Sequence, residues 1–186
     1  MGKIILGLTL SLDGFAEDLE GSFTPLYTDM KPLKETELME ESILRTGSVV
    51  MSKKEFEMAE DPDLYADNYE FQVPIFVFTD KEPEKHPKEN DKFTITFVTD
   101  GLESAINQAK VAAGNKDVTI IGSAETTPLC LNANLADELQ VDIVPILLKN
   151  GYRPFENIEN LDIKLERTLV VELPAGRTHL RYEISN

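Results

Sequence analysis

Short apolar runs rich in β-branched and aromatic residues recur along this chain, separated by stretches with helical spacing, and this alternation restricts the fold more than any single residue does. Ser48-Val49-Val50-Met51 and Asp117-Val118-Thr119-Ile120-Ile121 are continuous apolar runs, as expected of strands covered on both faces of a parallel sheet. Residues 73–79 and 93–99 are aromatic and β-branched, with Pro74 at the entry of the first, where a missing N–H is tolerated. Between them, residues 80–92 carry charges together with Pro83 and Pro87, which deny both helix and central strand and predict a surface loop. Residues 3–11 read as the first strand. Helices are predicted over residues 34–46, with Leu38, Met39, Ile43 and Leu44 on one side and Gly47 as terminator, and over residues 53–60. Two more are predicted over residues 100–114, where Leu102, Ala105, Ile106 and Ala109 form a stripe ended by Gly114, and over residues 127–134.

Residues 138–148 alternate and then become wholly apolar, which predicts one long strand. Residues 164–173 and 178–184 flank Pro174-Ala175-Gly176-Arg177, the pattern of an antiparallel hairpin. Strands alternating with helices call for parallel crossover units. The expected architecture is therefore α/β: a mixed, mostly parallel central sheet flanked by helices in three layers and closed by a C-terminal antiparallel hairpin, in a single domain over residues 1–186.

Charge and cysteine usage narrow the partners. Lys plus Arg total 18 against 34 Asp plus Glu, a net charge of −16, so a phosphate backbone or an anionic membrane is repelled. Cys130, beside Leu129 and Leu131, is the one cysteine, which excludes an intrachain disulfide and the usual cysteine-based zinc site. His86 and His179 lack neighbours at ligand spacing, so no metal is expected. The N-terminal run is short, interrupted by Gly7, and reads as a strand and not as a signal peptide, so a cytoplasmic protein is expected.

In an open α/β sheet, ligands gather beyond the carboxyl ends of the strands. Three segments arrive there: Ser52-Lys53-Lys54-Glu55, Thr79-Asp80 and Gly122-Ser123-Ala124-Glu125-Thr126. Small residues at 122–124 let a ligand approach the backbone, and unpaired N–H groups before a helix suit a phosphate. Ser123 and Thr126 serve equally well as plain helix caps, and Lys53 and Lys54 as a solvated helix start, so both readings stay open. Asp13 either orients a substrate or delivers a proton, or belongs with Gly14 to an ordinary tight turn. Neither a Gly-x-Ser-x-Gly elbow nor a P-loop nor a Gly-x-Gly-x-x-Gly fingerprint occurs.

Taken in order, Ser11-Leu12-Asp13-Gly14, Val49-Val50-Met51-Ser52-Lys53-Lys54-Glu55-Phe56-Glu57, Pro74-Ile75-Phe76-Val77-Phe78-Thr79, Ile121-Gly122-Ser123-Ala124, Val144-Pro145-Ile146-Leu147-Leu148 and Gly151-Tyr152-Arg153-Pro154-Phe155 resemble the dihydrofolate reductase-like superfamily. Within it the chain is most similar to the C-terminal reductase domain of the riboflavin-biosynthesis protein RibD, over nearly its whole length. The resemblance implies a reductase that passes hydride from NADPH to a small heterocyclic or carbonyl substrate, such as 5-amino-6-(ribosylamino)uracil. It would place Gly122, Ser123, Ala124, Glu125 and Thr126 around the pyrophosphate, with Ser52, Lys53 and Lys54 on the other side. Thr79 would lie beside the adenosine ribose and Asp13 at the mouth of the substrate cleft. Members of that group usually show Gly-Arg-x-Thr-Tyr-Glu where this chain has residues 52–57, and an arginine where it has Asp80. Those departures motivate an alternative of a different class: the same fold without nucleotide binding, acting as a non-catalytic binding or dimerising protein. A homodimer is expected either way, because the long strand and the hairpin form an extended edge.

Overall fold

The computed structural model describes residues 2–59 and 61–185. In chain order its elements are β1 (Ile4–Ser11), α1 (Met30–Lys34), α2 (Glu37–Arg45), β2 (Thr46–Ser52), α3 (Lys53–Phe56), α4 (Tyr65–Asn68), β3 (Ile75–Phe78), β4 (Ile95–Val98), α5 (Leu102–Ala113), β5 (Asp117–Ile121), α6 (Thr126–Asn132), β6 (Glu138–Val144), β7 (Lys164–Glu172) and β8 (Thr178–Ser185). They fall into two units, one of residues 2–4 and 42–121, the other of residues 5–41 and 122–185.

In the first unit the strand order is β4-β3-β2-β5, all parallel. Successive side chains of a strand point to opposite faces. One face gathers Val49, Met51, Ile75, Val77 and Ile95 against Phe56, Ala66, Phe71 and Phe93. α5 packs on β2, β3 and β5 through buried Leu102, Ala105, Ile106, Ala109 and Ala113, and the Ser48 hydroxyl donates to the Ala109 carbonyl at 2.9 Å. Cover on both faces is the physical reason that these strands read as unbroken apolar runs.

In the second unit the order is β1-β6-β8-β7, with β1 and β6 parallel and the other pairs antiparallel. Thr9, Asp142, His179 and Val171 stand directly opposite one another on the four strands, forming one row across the sheet. The parallel pairs, the helices and the terminal hairpin match the architecture expected from the pattern.

Local differences have identifiable causes. The predicted helix over 34–46 is α2, shorter at both ends, with a separate short α1 before it in the stretch read as irregular, and Gly47 lies inside β2 because pairing with β5 extends that strand back to Thr46. α2 has no fully buried residue and Leu44 is 64% exposed, but Ile43 is partly buried and packs against the core of the first unit, so the apolar spacing there marks a shallow contact face. The predicted helix over 53–60 ends at Phe56; its last residue lies outside the described residues. The predicted strand over 138–148 stops at Val144, since Pro145 has no N–H to donate and the Leu148 and Lys149 amides turn to Asp13.

Candidate functional site

The turn after β5 belongs to the second unit, apart from its Ile121 root. The Gly122 amide donates to the Gly7 carbonyl at 2.7 Å, and a Cβ there would lie 2.9 Å from that oxygen and 3.0 Å from the Leu8 Cβ. The glycine is therefore required by the close approach of β1, which uses the space expected to admit a ligand. Ser123 is fully buried, and its Oγ accepts from the Thr126 amide at 3.0 Å and the Glu125 amide at 3.3 Å. The Ser123 hydroxyl thus takes up two backbone amides just before and at the start of α6.

The Ala124 amide has a different partner. It donates to Oε1 of Glu17 at 3.0 Å, and Glu17 is 1% exposed. Backbone contacts hold Glu17 there: the Tyr152 amide donates to its carbonyl at 3.0 Å, and the Ala16 amide donates to the Tyr152 carbonyl at 2.9 Å. At Gly151, φ is +147° and a Cβ would stand 1.9 Å from the Glu17 oxygen, so only glycine lets this strap close. The sequence reading passed over Glu17, because an acid in an irregular segment carries no periodicity to mark it as buried.

Ser52, Lys53, Lys54 and Thr79 lie in the first unit. Ser52 and Glu55 form a reciprocal cap on α3: the Ser52 amide donates to Oε2 of Glu55 at 2.5 Å, and the Glu55 amide donates to Oγ of Ser52 at 3.3 Å. Lys53 is exposed and pairs with Glu57 at 3.5 Å, and Lys54 is exposed. The Thr79 hydroxyl donates to the Lys81 carbonyl and accepts from the Lys81 amide, closing its own turn.

Asp13 ties two loops together. Its Oδ1 accepts from the Ser11 hydroxyl at 2.7 Å and the Leu148 amide at 3.1 Å, and its Oδ2 from the Lys149 amide at 2.8 Å. The Ser11 hydroxyl foremost, joined by these amides and opposed by desolvation, holds the carboxyl below the usual carboxylate range. Through these three bonds the carboxylate anchors the Ser11 and Leu148-Lys149 segments to each other. Arg153, on the strap, lies 4.1 Å above the Phe15 ring.

A second polar cluster was invisible to sequence spacing. Arg177, 1% exposed, donates from Nε and Nη2 to Asp29 at 2.9 and 2.5 Å, from Nη2 to the Leu26 carbonyl at 2.9 Å, and from Nη1 to Asp142 at 3.2 Å. Asp142 also faces Nδ1 of His179 at 2.7 Å, and the buried Nε2 of that ring has no protein partner. Arg177 is held above its ordinary range: burial alone would lower it, but the Asp29 and Asp142 carboxylates outweigh burial. Hydrogen bonding to Arg177 in turn holds Asp29 below the carboxylate range. Asp29 stands at the start of α1, in a stretch that reads as irregular, with its carboxylate on Arg177 and not on the helix amides, and only folding brings the two together. Among the described residues no group of three or more His, Cys, Asp or Glu could hold a metal ion.

A pyrophosphate binds to N–H groups that are free to donate. Here the amides of Ala124, Glu125, Thr126 and Ser52 already donate within the chain, two of them to carboxylates. As arranged, those four amides are taken up within the chain.

No family model matches the chain. The uncharacterized protein YyaP of Bacillus subtilis (strain 168) is 25% identical over 176 residues, 89% of this chain and 87% of that protein. A putative riboflavin biosynthesis protein from Shewanella sp. PV-4 matches with a TM-score of 0.75 over 99% of both chains, at 22% identity. The dihydrofolate reductase from Enterococcus faecalis, solved with NADP(H) and RAB-propyl, matches with a TM-score of 0.61 over 100% of this chain and 98% of its own, at 13% identity. The chain has the dihydrofolate reductase-like fold. That places the turn after β5 and the Asp13 loop on the scaffold that the sequence resemblance implied. No helix among the described residues is long and apolar enough to cross a membrane.

Proposed function

We propose that the chain is a reductase that passes hydride from a nicotinamide nucleotide, NADPH by the fold's example, to a small heterocyclic or carbonyl substrate. The observation that carries the reading is the likeness along essentially the full chain to a dihydrofolate reductase solved with NADP(H). Three consecutive amides at 124–126 support it, since they are of the kind a pyrophosphate uses even though they now turn inward. When bound, the nucleotide supplies the hydride, and the protein supplies orientation and shelter from water. Saturating nucleotide stabilises a binding protein by about 2.7 kcal/mol at a hundredfold excess over Kd. The melting temperature should then rise by roughly 5–10 °C for a chain of this size. Thermal melts with NADPH and with NADH test this, and no shift with either at saturating concentration rejects it.

The carboxylates of Glu17 and Glu55 favour a second reading, in which the fold has lost nucleotide binding and serves as a non-catalytic binding or dimerising protein. It expects flat melts, and a nicotinamide nucleotide copurifying with the protein refutes it.

A further inference from the structure

We propose that the cavity between α3, the segment that follows it and the loop over residues 80–92 binds a small aromatic ring carrying a cationic arm, an amidinium or a primary ammonium. The inference goes beyond the reductase reading and does not rest on it.

The walls set the shape of the occupant. A cavity of about 190 Å³ lies in the first unit, with Phe56, Phe97, Pro62, Pro83 and Pro87 as its apolar lining. Pro83 and Pro87, which mark the loop in the sequence, therefore also build a surface. Proline has no N–H and the phenylalanine side chain no polar atom, so whatever reaches these walls needs few hydrogen bonds there. An apolar cavity of about 150 Å³ is enough to take benzene, whereas drug-sized ligands occupy roughly 300 Å³ or more, so this one suits a single ring. Phe97 meets Phe56 edge-on, with centroids 5.6 Å apart and planes at 84°. A flat ring entering beside them meets one as a face and the other as an edge, arrangements that aromatic groups prefer. The space is preformed, because the loop is pinned across it. Asp63 accepts from Nζ of Lys85 at 2.7 Å and from the Lys88 amide at 3.0 Å, and Nδ2 of Asn90 donates to the Ala66 carbonyl at 2.6 Å.

Charge at the rim sets the chemistry. Phe56 and Pro87 are buried, whereas Lys53, Glu57, Asp61 and Lys85 are exposed, so the cavity is apolar within and charged at its mouth. Both lysines are already taken, Lys53 by Glu57 at 3.5 Å and Lys85 by Asp63 at 2.7 Å. Asp61 spends Oδ1 on the Asp63 amide at 3.0 Å and has no ion-pair partner among the described residues. Three carboxylates thus stand with two ammoniums at the mouth of a cavity in a chain of net charge −16. The unpaired carboxylate favours a cation over an anion there. An apolar ring inside and a positive arm at the mouth satisfy both parts of the site.

The test is calorimetric titration of the full chain with benzamidine, benzamide and benzoate, one shape that is cationic, neutral and anionic in turn at neutral pH. Benzamidine should bind about fivefold more tightly than benzamide, with benzoate the weakest. Asp61→Asn keeps an acceptor for the Asp63 amide and should erase the lead of benzamidine while leaving benzamide unchanged. Glu103→Gln removes an equal charge from an exposed position on α5 and should erase none of it. Phe97→Leu keeps an apolar wall without the ring and should weaken all three compounds. Saturating NADPH should displace none of them. Failure of all three to bind at millimolar concentration overturns the site, and equal affinities, or a lead that survives Asp61→Asn, overturn the cationic class. Displacement by NADPH would give the space to the nucleotide and likewise overturn the inference. The reductase reading is decided separately, by its thermal melts.

Discussion

Replacing Arg177 with methionine tests what the buried cluster of the second unit contributes. The guanidinium is 1% exposed and meets Asp29 through two bonds, at 2.9 and 2.5 Å, and Asp142 through one at 3.2 Å. Methionine is flexible enough to occupy much of the vacated space, so the principal loss is the charge and not the packing. The Asp29 side chain is only 6% exposed and is left as a buried carboxylate without its cation, which costs about 3–5 kcal/mol. Asp142 is 20% exposed and keeps His179, so it adds little. A loss of that size is a large part of the roughly 5–15 kcal/mol that holds a domain folded. The pH dependence gives the sign. In the unaltered chain Asp29 is depressed below its ordinary 3.8, so its contribution is full above that value and is lost as pH falls through the folded value. Without Arg177, burial raises the same carboxyl, so the variant is penalised at neutral pH and relieved as pH falls. Urea denaturation at neutral and mildly acidic pH should show a gap that narrows towards acid, and Arg177→Met with Asp29→Asn should recover much of the loss. A neutral-pH loss under about 1 kcal/mol, within the range of an exposed ion pair, would refute the reasoning, as would a gap indifferent to pH.

Cys130 is fully buried and its thiol is pushed up to about 12, so a disulfide reagent should leave it untouched in the native state and titrate it after denaturation; native labelling at the free-thiol rate contradicts this. Glu55→Ala removes half of the reciprocal cap on α3 and should cost about 1 kcal/mol, read as a lower denaturation midpoint with unchanged slope; an unshifted midpoint counts against it. We also propose that the chain is a homodimer through β7, the outermost strand of its unit, where Leu165 and Val170 are 48% and 49% exposed. Sedimentation should show a dimer that Val170→Lys weakens, and a monomer at high concentration would rule it out.

Much of the fold was legible from local pattern. β5 coincides with its apolar run, α5 falls within two residues of its predicted start and one of its end, and the hairpin brackets Pro174-Ala175-Gly176, because burial on both faces or on one stripe writes its period into the residues themselves. Pattern found α2, whose Ile43 packs only part-buried on the core, and misled at the end of β6, where Pro145 and the Asp13 carboxylate outweigh an apolar run.

The candidate site divides along the same line. Composition and motif order by themselves determined the scaffold, the acidic surface and the turns that stand at strand ends. Only the tertiary structure decided which groups those turns serve. Glu17 reaches Ala124 across 107 positions and Arg177 reaches Asp29 across 148. A hydrogen bond depends on where two atoms lie in space, and nothing in the spacing of residues along the chain records it.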